Sequence, residues 1–280
     1  MENELLFQAY SEILKDIDTK YLDKLIQHGG QRHNDLAGLF LPSVESGYST
    51  AQNKIMIVGR ETRAWKVLAP DLDPLPIEEY ISKAVSVHRD FLAKRLNKTK
   101  YSKGCTFLDF IREVKNEYGR EGLIYANLFC FSWKKSHPKH SADFDYIKKL
   151  SEKLLKKQIE ILKPQYIIFA NGTGASEQRI EFFPTKGERN VCLDRCLFTG
   201  AGIPDKQLWG FKLNNDIQCY RIQHPSTPSK SARNARKYLI DNLMDLRKMS
   251  DEYSKFRQLE EALTEFQENG FQMERDQPKF

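Results

Sequence analysis

The feature that most constrains the fold is a set of four short, almost continuous apolar runs. They are Lys54 to Gly59 (KIMIVG), Leu123 to Phe129 (LIYANLF), Gln165 to Ala170 (QYIIFA) and Ile217 to Gln223 (IQCYRIQ). A half-exposed strand alternates apolar and polar residues, whereas a strand covered on both faces reads as a continuous apolar run. Helical periodicity between the runs supplies the cover. Ile77 to Leu96 and Phe107 to Tyr118 fill the first gap, and Phe144 to Leu162 puts Phe144, Ile147, Leu150, Leu154, Ile161 and Leu162 on one face, with lysines opposite. This alternation predicts an α/β sandwich around a mainly parallel sheet, whose ligands sit beyond the carboxyl ends of the strands.

The flanks read differently. Residues 1–28 predict two amphipathic helices, the first with Leu5, Leu6, Ala9, Ile13 and Ile17 on its apolar stripe and the second with Tyr21, Leu22, Leu25 and Ile26. Gly29-Gly30 ends that section, and Gln31 to Asn53 is expected as irregular chain laid over the core. Asn190 to Gly200 suits a strand of a small β-excursion. Pro228 to Leu246 predicts a long helix with Thr227 as its cap and Pro228 in its first turn. Residues 251–268 add an amphipathic helix before a polar tail. At 280 residues the chain is expected to be one elaborated domain: an N-terminal extension over 1–53, a core over 54–248, and a C-terminal helix and tail over 249–280.

Composition removes several classes of function. No window approaches the roughly 18 apolar residues of a membrane span, and Met1 to Tyr10 lacks the basic start of an export signal, so a cytoplasmic protein is expected. Five cysteines, an odd and scattered set, do not form a disulfide framework. Cys192 and Cys196 stand close, but no second Cys or His pair lies at ligand spacing, so neither a metal nor a cofactor is expected. The net charge of +6 attracts polyanions at long range without identifying one.

The carboxyl ends of the four runs carry Gly59-Arg60-Glu61-Thr62, then Asn127 with its aromatic flanks, Ala170-Asn171-Gly172, and His224-Pro225-Ser226. A carboxylate, an amide and an imidazole suit a reaction in which positive charge grows on a sugar while negative charge grows on a leaving base. Each also has an ordinary reading: a loop carboxylate, an Asn that caps backbone groups, and a hydrogen-bonded His before a proline turn.

In this order along residues 54–246, the chain resembles the uracil-DNA glycosylase superfamily. The shared elements are a strand ending in Gly-x-acid, a second strand carrying Asn, a third preceded by Gln158 to Pro164 (QIEILKP), and a last strand delivering His-Pro-Ser into a helix. The resemblance implies a three-layer α/β/α sandwich with a four-stranded, mainly parallel central sheet, and hydrolysis of the N-glycosidic bond of a nucleotide flipped out of DNA. By position, Glu61 matches the acid that orients water and stabilises the oxocarbenium-like sugar. Asn127 matches the amide that reads the base. His224 matches the histidine that, held neutral, donates a hydrogen bond to the base oxygen as the leaving group becomes an anion. Trp65 or Phe129 is expected to stack on the flipped base. Arg60, Arg63, Ser226, Thr227, Lys230 and Arg233 are expected to meet DNA phosphates, single- or double-stranded.

Two departures matter. Thr62 replaces the proline or glycine that usually follows the first-motif acid. The cysteine set of the iron-sulfur branch is missing as well, since none precedes Cys105 and Ser151 stands about where another ligand would fall. Uracil, another deaminated base, or a bulky modified base of phage DNA all fit as substrates, the last making this a defence enzyme. A non-catalytic nucleic-acid-binding protein and a small-molecule hydrolase or transferase using Glu61 and His224 are the competing classes.

Overall fold

The computed structural model describes residues 1–22, 35–69, 75–98, 106–214 and 216–247. The chain divides into two compact units, Met1–Ile240 and Asp241–Phe280; of the second, residues 241–247 are described and are helical. The predicted helix over 251–268, the Leu25/Ile26 stripe and the Gly29-Gly30 stop lie outside the described residues.

The first unit is built on six strands: β1 (Ile55–Gly59), β2 (Leu123–Asn127), β3 (Tyr166–Phe169), β4 (Cys192–Leu197), β5 (Leu208–Leu213) and β6 (Ile217–Ile222). They form one sheet in the order β2-β1-β3-β6-β5-β4. The four strands expected from the apolar runs are contiguous and mutually parallel. The expectation of a four-stranded sheet is nonetheless corrected. Beyond β6 the sheet continues through β5 and β4, both antiparallel, so it is six-stranded and mixed. Strand β5 (LWGFKL) escapes an apolar-run criterion because Gly210 and Lys212 interrupt it.

Five helices are bounded within the first unit: α1 (Glu2–Leu14), α2 (Ile77–Leu96), α3 (Thr106–Tyr118), α4 (Phe144–Leu162) and α5 (Ser176–Phe182). A further helix, α6, begins at residue 230. With this strand order, the right-handed rule for parallel crossovers assigns α2 and α3 to one face of the parallel strands and α4 and α5 to the other. Contacts agree: Lys148 of α4 pairs with Glu181 of α5 at 2.6 Å, and α2 packs on α3, whose Tyr118 hydroxyl donates to the Ile240 carbonyl. Helix α4 ends where Lys163 turns left-handed before Pro164.

Two local expectations shift. Helix α1 buries Leu6, Tyr10 and Leu14 while Leu5 is 45% exposed, because the Tyr10 hydroxyl donates to the Pro42 carbonyl at 2.8 Å and turns that stripe inward. Helix α6 starts two residues later than expected, and Ser229, not Thr227, caps it by accepting from the Ala232 amide at 3.2 Å. The irregular segment before β1 does lie over the core. Residues 36–44 are buried throughout, and the His88 ring of α2 accepts from the Ser43 amide at 3.2 Å. No helix among the described residues is long and apolar enough to cross a membrane.

Candidate active site

Because β1, β2, β3 and β6 run parallel, the residues that follow them emerge at one end of the sheet. A cleft of about 250 Å³ opens there, lined by Glu61 after β1, Asn127 at the end of β2 and His224 after β6. Arg60, Arg63, Trp65 and Ser226 line it too, with Phe91, Phe107 and Tyr125 among its aromatic walls. The backbone holds the loops in place. The Leu128 and Phe129 amides donate to the Gly59 and Arg60 carbonyls, each at 2.9 Å, so the loop after β1 is tied to the chain leaving β2.

Gly59 is required by space. A Cβ there would stand 2.5 Å from Asn127 Oδ1 and 2.8 Å from Phe107 Cζ, so the absence of a side chain admits the amide and the ring into the cleft. Gly172, after β3, is required by conformation: its φ is +70°, and a Cβ would meet the His224 backbone nitrogen at 3.1 Å.

Glu61 is held as half of a pair. Arg60 Nε donates to Glu61 Oε2 at 2.5 Å and Arg60 Nη2 to Oε1 at 2.8 Å, a bidentate fork on a carboxylate whose side chain is only 2% exposed. Burial of a charge in this way needs its partner. The pairing also holds the Arg60 guanidinium above its ordinary pKa.

His224 is fixed in one tautomer. The Ser226 amide donates to its Nδ1 at 3.2 Å, and the Ser226 hydroxyl lies 2.6 Å from the same atom. Nδ1 is therefore an acceptor, and Nε2–H is the ring's donor. Burial, and next the Arg60 charge, push its pKa down to about 4, so the imidazole is neutral at pH 7. The Phe107 ring lies beside it, nearly parallel at 21° with centroids 5.7 Å apart.

Several polar groups at the strand ends stay unused. The Asn127 amide is buried with neither its oxygen nor its nitrogen in a hydrogen bond of ordinary geometry, the Tyr125 hydroxyl being close enough to feel it. The Asn171 amide and the Thr62 hydroxyl are likewise buried without partners among the described residues. Buried polar atoms are normally satisfied by protein or ordered water, and of these three residues Asn127 and Thr62 line the cleft.

The remaining expected residues are placed as follows. Trp65 reaches the cleft, but its ring is 5% exposed and packs edge-on against Phe40 and Phe91 at 5.2 and 5.1 Å. Phe129 does not line it, which corrects its expected role in stacking. It is fully buried against His137, Phe144 and Phe182, because the chain beyond β2 turns into the core. Arg63 is exposed at the rim. Ser226 uses its hydroxyl on His224, while Thr227, Lys230 and Arg233 stand outside the cleft lining, Arg233 donating to the Pro228 carbonyl. Sequence reasoning missed Phe107, which comes from the first turn of α3 and not from a strand end. No group of three or more metal-ligating side chains occurs among the described residues. Compared with family models and with curated proteins, the chain matches none.

Proposed function

We propose that this chain is a monofunctional DNA glycosylase that hydrolyses the N-glycosidic bond of a flipped-out base and leaves an abasic site. One observation carries the reading: a carboxylate, an amide and a neutral imidazole from three distant stretches of chain line a single cleft. Its volume lies just below the ~300–1,000 Å³ of sites for drug-sized ligands, which suits one heterocycle with its sugar. A strand order in which the three groups follow parallel β-strands of a layered α/β fold agrees with the superfamily resemblance.

Each residue then has a task. Asn127 offers a donor and an acceptor, both unspent, to the edge of a base. Phe107 supplies the flat surface beside it. His224 presents Nε2–H to the base oxygen as negative charge grows there, and acts as an electrophile because its ring is already neutral. Glu61 places negative charge near the sugar and accepts a hydrogen bond from the attacking water, since each carboxylate oxygen keeps a second lone pair beside Arg60. Among the described residues no lysine lines the cleft, in keeping with hydrolysis by water and not strand cleavage through a Schiff base.

The Arg60–Glu61 fork favours one rival, a nucleic-acid-binding protein on the same fold in which the carboxylate is spent on its arginine. The test is to incubate the protein with single strands and duplexes carrying uracil, hypoxanthine, or glucosylated or plain hydroxymethylcytosine, followed by alkali. Breakage that disappears in Glu61→Gln and His224→Ala supports the enzyme and identifies the base, whether a repair lesion or a modified phage base. Salt-sensitive binding with no base release supports the rival.

A further inference from the structure

Away from the cleft, three guanidinium groups surround one indole. Arg195 of β4, Arg179 of α5 and Arg221 of β6 lie 5.2, 5.4 and 6.0 Å from the Trp209 ring centroid. The register explains the meeting. Arg221 faces Trp209 across the β5–β6 ladder and Leu197 faces it from β4, while Arg195 comes from the irregularity that interrupts the β4–β5 ladder between Leu193 and Cys196. Arg179 approaches from α5 and also lies 6.0 Å over Phe169.

Their charge is poorly balanced. Asp205 is 3.5 Å from Arg195 with both side chains more than half exposed, which makes a weak ion pair. Arg221 gives its N–H groups to the carbonyls of Lys206 and Asp205 at 2.7 and 3.1 Å. Arg179 is 3% exposed, and neither its Nε nor its Nη1 has a hydrogen-bond partner among the described residues. Burial pushes the Arg179 and Arg221 guanidiniums down, the latter to about 10 with Arg179 as a further cause. Arg179 is thus a buried cation with unspent N–H groups beside two further guanidiniums, an arrangement that an anion would complete.

Stacking on a ring uses the flat face of a guanidinium and leaves its edge for oxygen ligands, in the fork geometry that suits phosphate. The half-exposed indole adds a surface on which a base can stack. The cluster is also linked to the cleft through the chain. Arg221 precedes His224 by three residues, about 10 Å of extended chain. Gln223 donates to the Lys206 carbonyl at 2.6 Å, which ties the β4–β5 loop to the segment that delivers His224.

We infer that the Trp209–arginine cluster is a second nucleic-acid contact, which holds a backbone phosphate of the strand whose base enters the cleft. This rests on the cleft being a nucleic-acid site. The test is fluorescence anisotropy of the full chain with a labelled single-stranded oligonucleotide at several salt concentrations. Arg195 is exposed, so Arg195→Gln and Arg195→Glu should fold, as a thermal melt verifies, and Arg195→Lys restores the charge. Arg195→Gln is expected to weaken binding about five- to tenfold and to flatten the slope of log K against log salt by about one. Arg195→Glu weakens binding further, Arg195→Lys recovers it, and base release at saturating DNA is unchanged. Wild-type affinity and slope in Arg195→Glu would overturn the inference. Arg195-sensitive binding without base release from any DNA keeps the cluster and removes the glycosylase; base release with Arg195-insensitive binding removes the cluster alone. A wild-type chain that binds no nucleic acid loses both.

Discussion

In β1 and β2 every residue is buried, whereas along β4 buried, half-buried and exposed positions are mixed and Arg195 sits where the ladder is interrupted. Strands β1, β2 and β3 are buried along their whole length, and the polar groups of this half stand where strands stop: Glu61, Asn127, Asn171 and His224 are all at or just beyond a strand end. The antiparallel edge is open enough to carry charge along its length: cross-strand register sets Trp209 opposite Arg221, and the irregularity of β4 brings Arg195 to the same ring. One half of the sheet thus concentrates its polar groups at a point, where the proposed chemistry would lie, and the other distributes them over a surface.

The sharpest way to break this comparison is Glu61→Gln. If chemistry resides only at the strand ends, base release falls about 10²- to 10³-fold, the usual loss for one electrostatic contributor to a transition state, while binding to unmodified DNA persists. Single-turnover assays with alkaline cleavage measure the first and anisotropy the second. Next comes a pair of glycines, one in each half. Gly59→Ala drives a methyl to 2.5 Å from Asn127 Oδ1 and should reduce base release about tenfold or more, through a strain of roughly 1–3 kcal/mol placed on the site. Gly210→Ala drives a methyl to 2.5 Å from Cys196 Sγ. It should lower the melting temperature and leave the rate at saturating DNA untouched. Equal rate losses in the two variants would end the division of labour.

Phe107→Leu keeps apolar bulk but removes the ring beside His224. About 1 kcal/mol of stacking is then lost, near fivefold in apparent substrate affinity, with kcat less affected; a loss in kcat alone would move Phe107 from platform to chemistry. The smallest expected effect is a flat line. With a pKa near 4, His224 stays neutral throughout the neutral range, so the pH–rate profile should show no His224 inflection between pH 5.5 and 8. Stability behaves otherwise. Burial pushes His88 to about 4 as well, so the unfolded chain takes up these protons first; the stabilisation is complete above about pH 6.5 and is lost as pH falls toward 4. Thermal melts across that window check the sign, and His88→Gln should remove the His88 share of the slope.

The parallel half was legible in the sequence because burial on both faces writes itself as uninterrupted apolar residues. Glu61, Asn127 and His224 followed from asking what stands where those runs end. The edge was less legible: Cys192–Leu197 fell inside the expected β-excursion, but β5 did not, since packing against Cys196 requires Gly210 and the ladder tolerates a buried Lys212. Phe129 was misplaced because a strand end locates a residue along the sheet without saying which way the chain turns next, and residues 128–131 turn inward. Phe107 depended on how α3 lies over the sheet, which periodicity does not encode. The apolar stripe of α1 was set one residue off, since a tyrosine whose hydroxyl has a buried carbonyl to meet counts as core.

A protein that draws a polyanion toward a carboxylate works against repulsion, about 4 kcal/mol for like charges 4 Å apart in a medium of effective dielectric near 20. The fork between Arg60 and Glu61 removes that barrier before any ligand arrives, because the two enter the cleft as a neutral dipole. The same arginine discourages protonation of His224. On the proposed reading a single side chain therefore offsets the acid for an approaching phosphate and adds to the burial that keeps His224 neutral, so replacing it with a neutral residue would disturb both sides of the cleft at once.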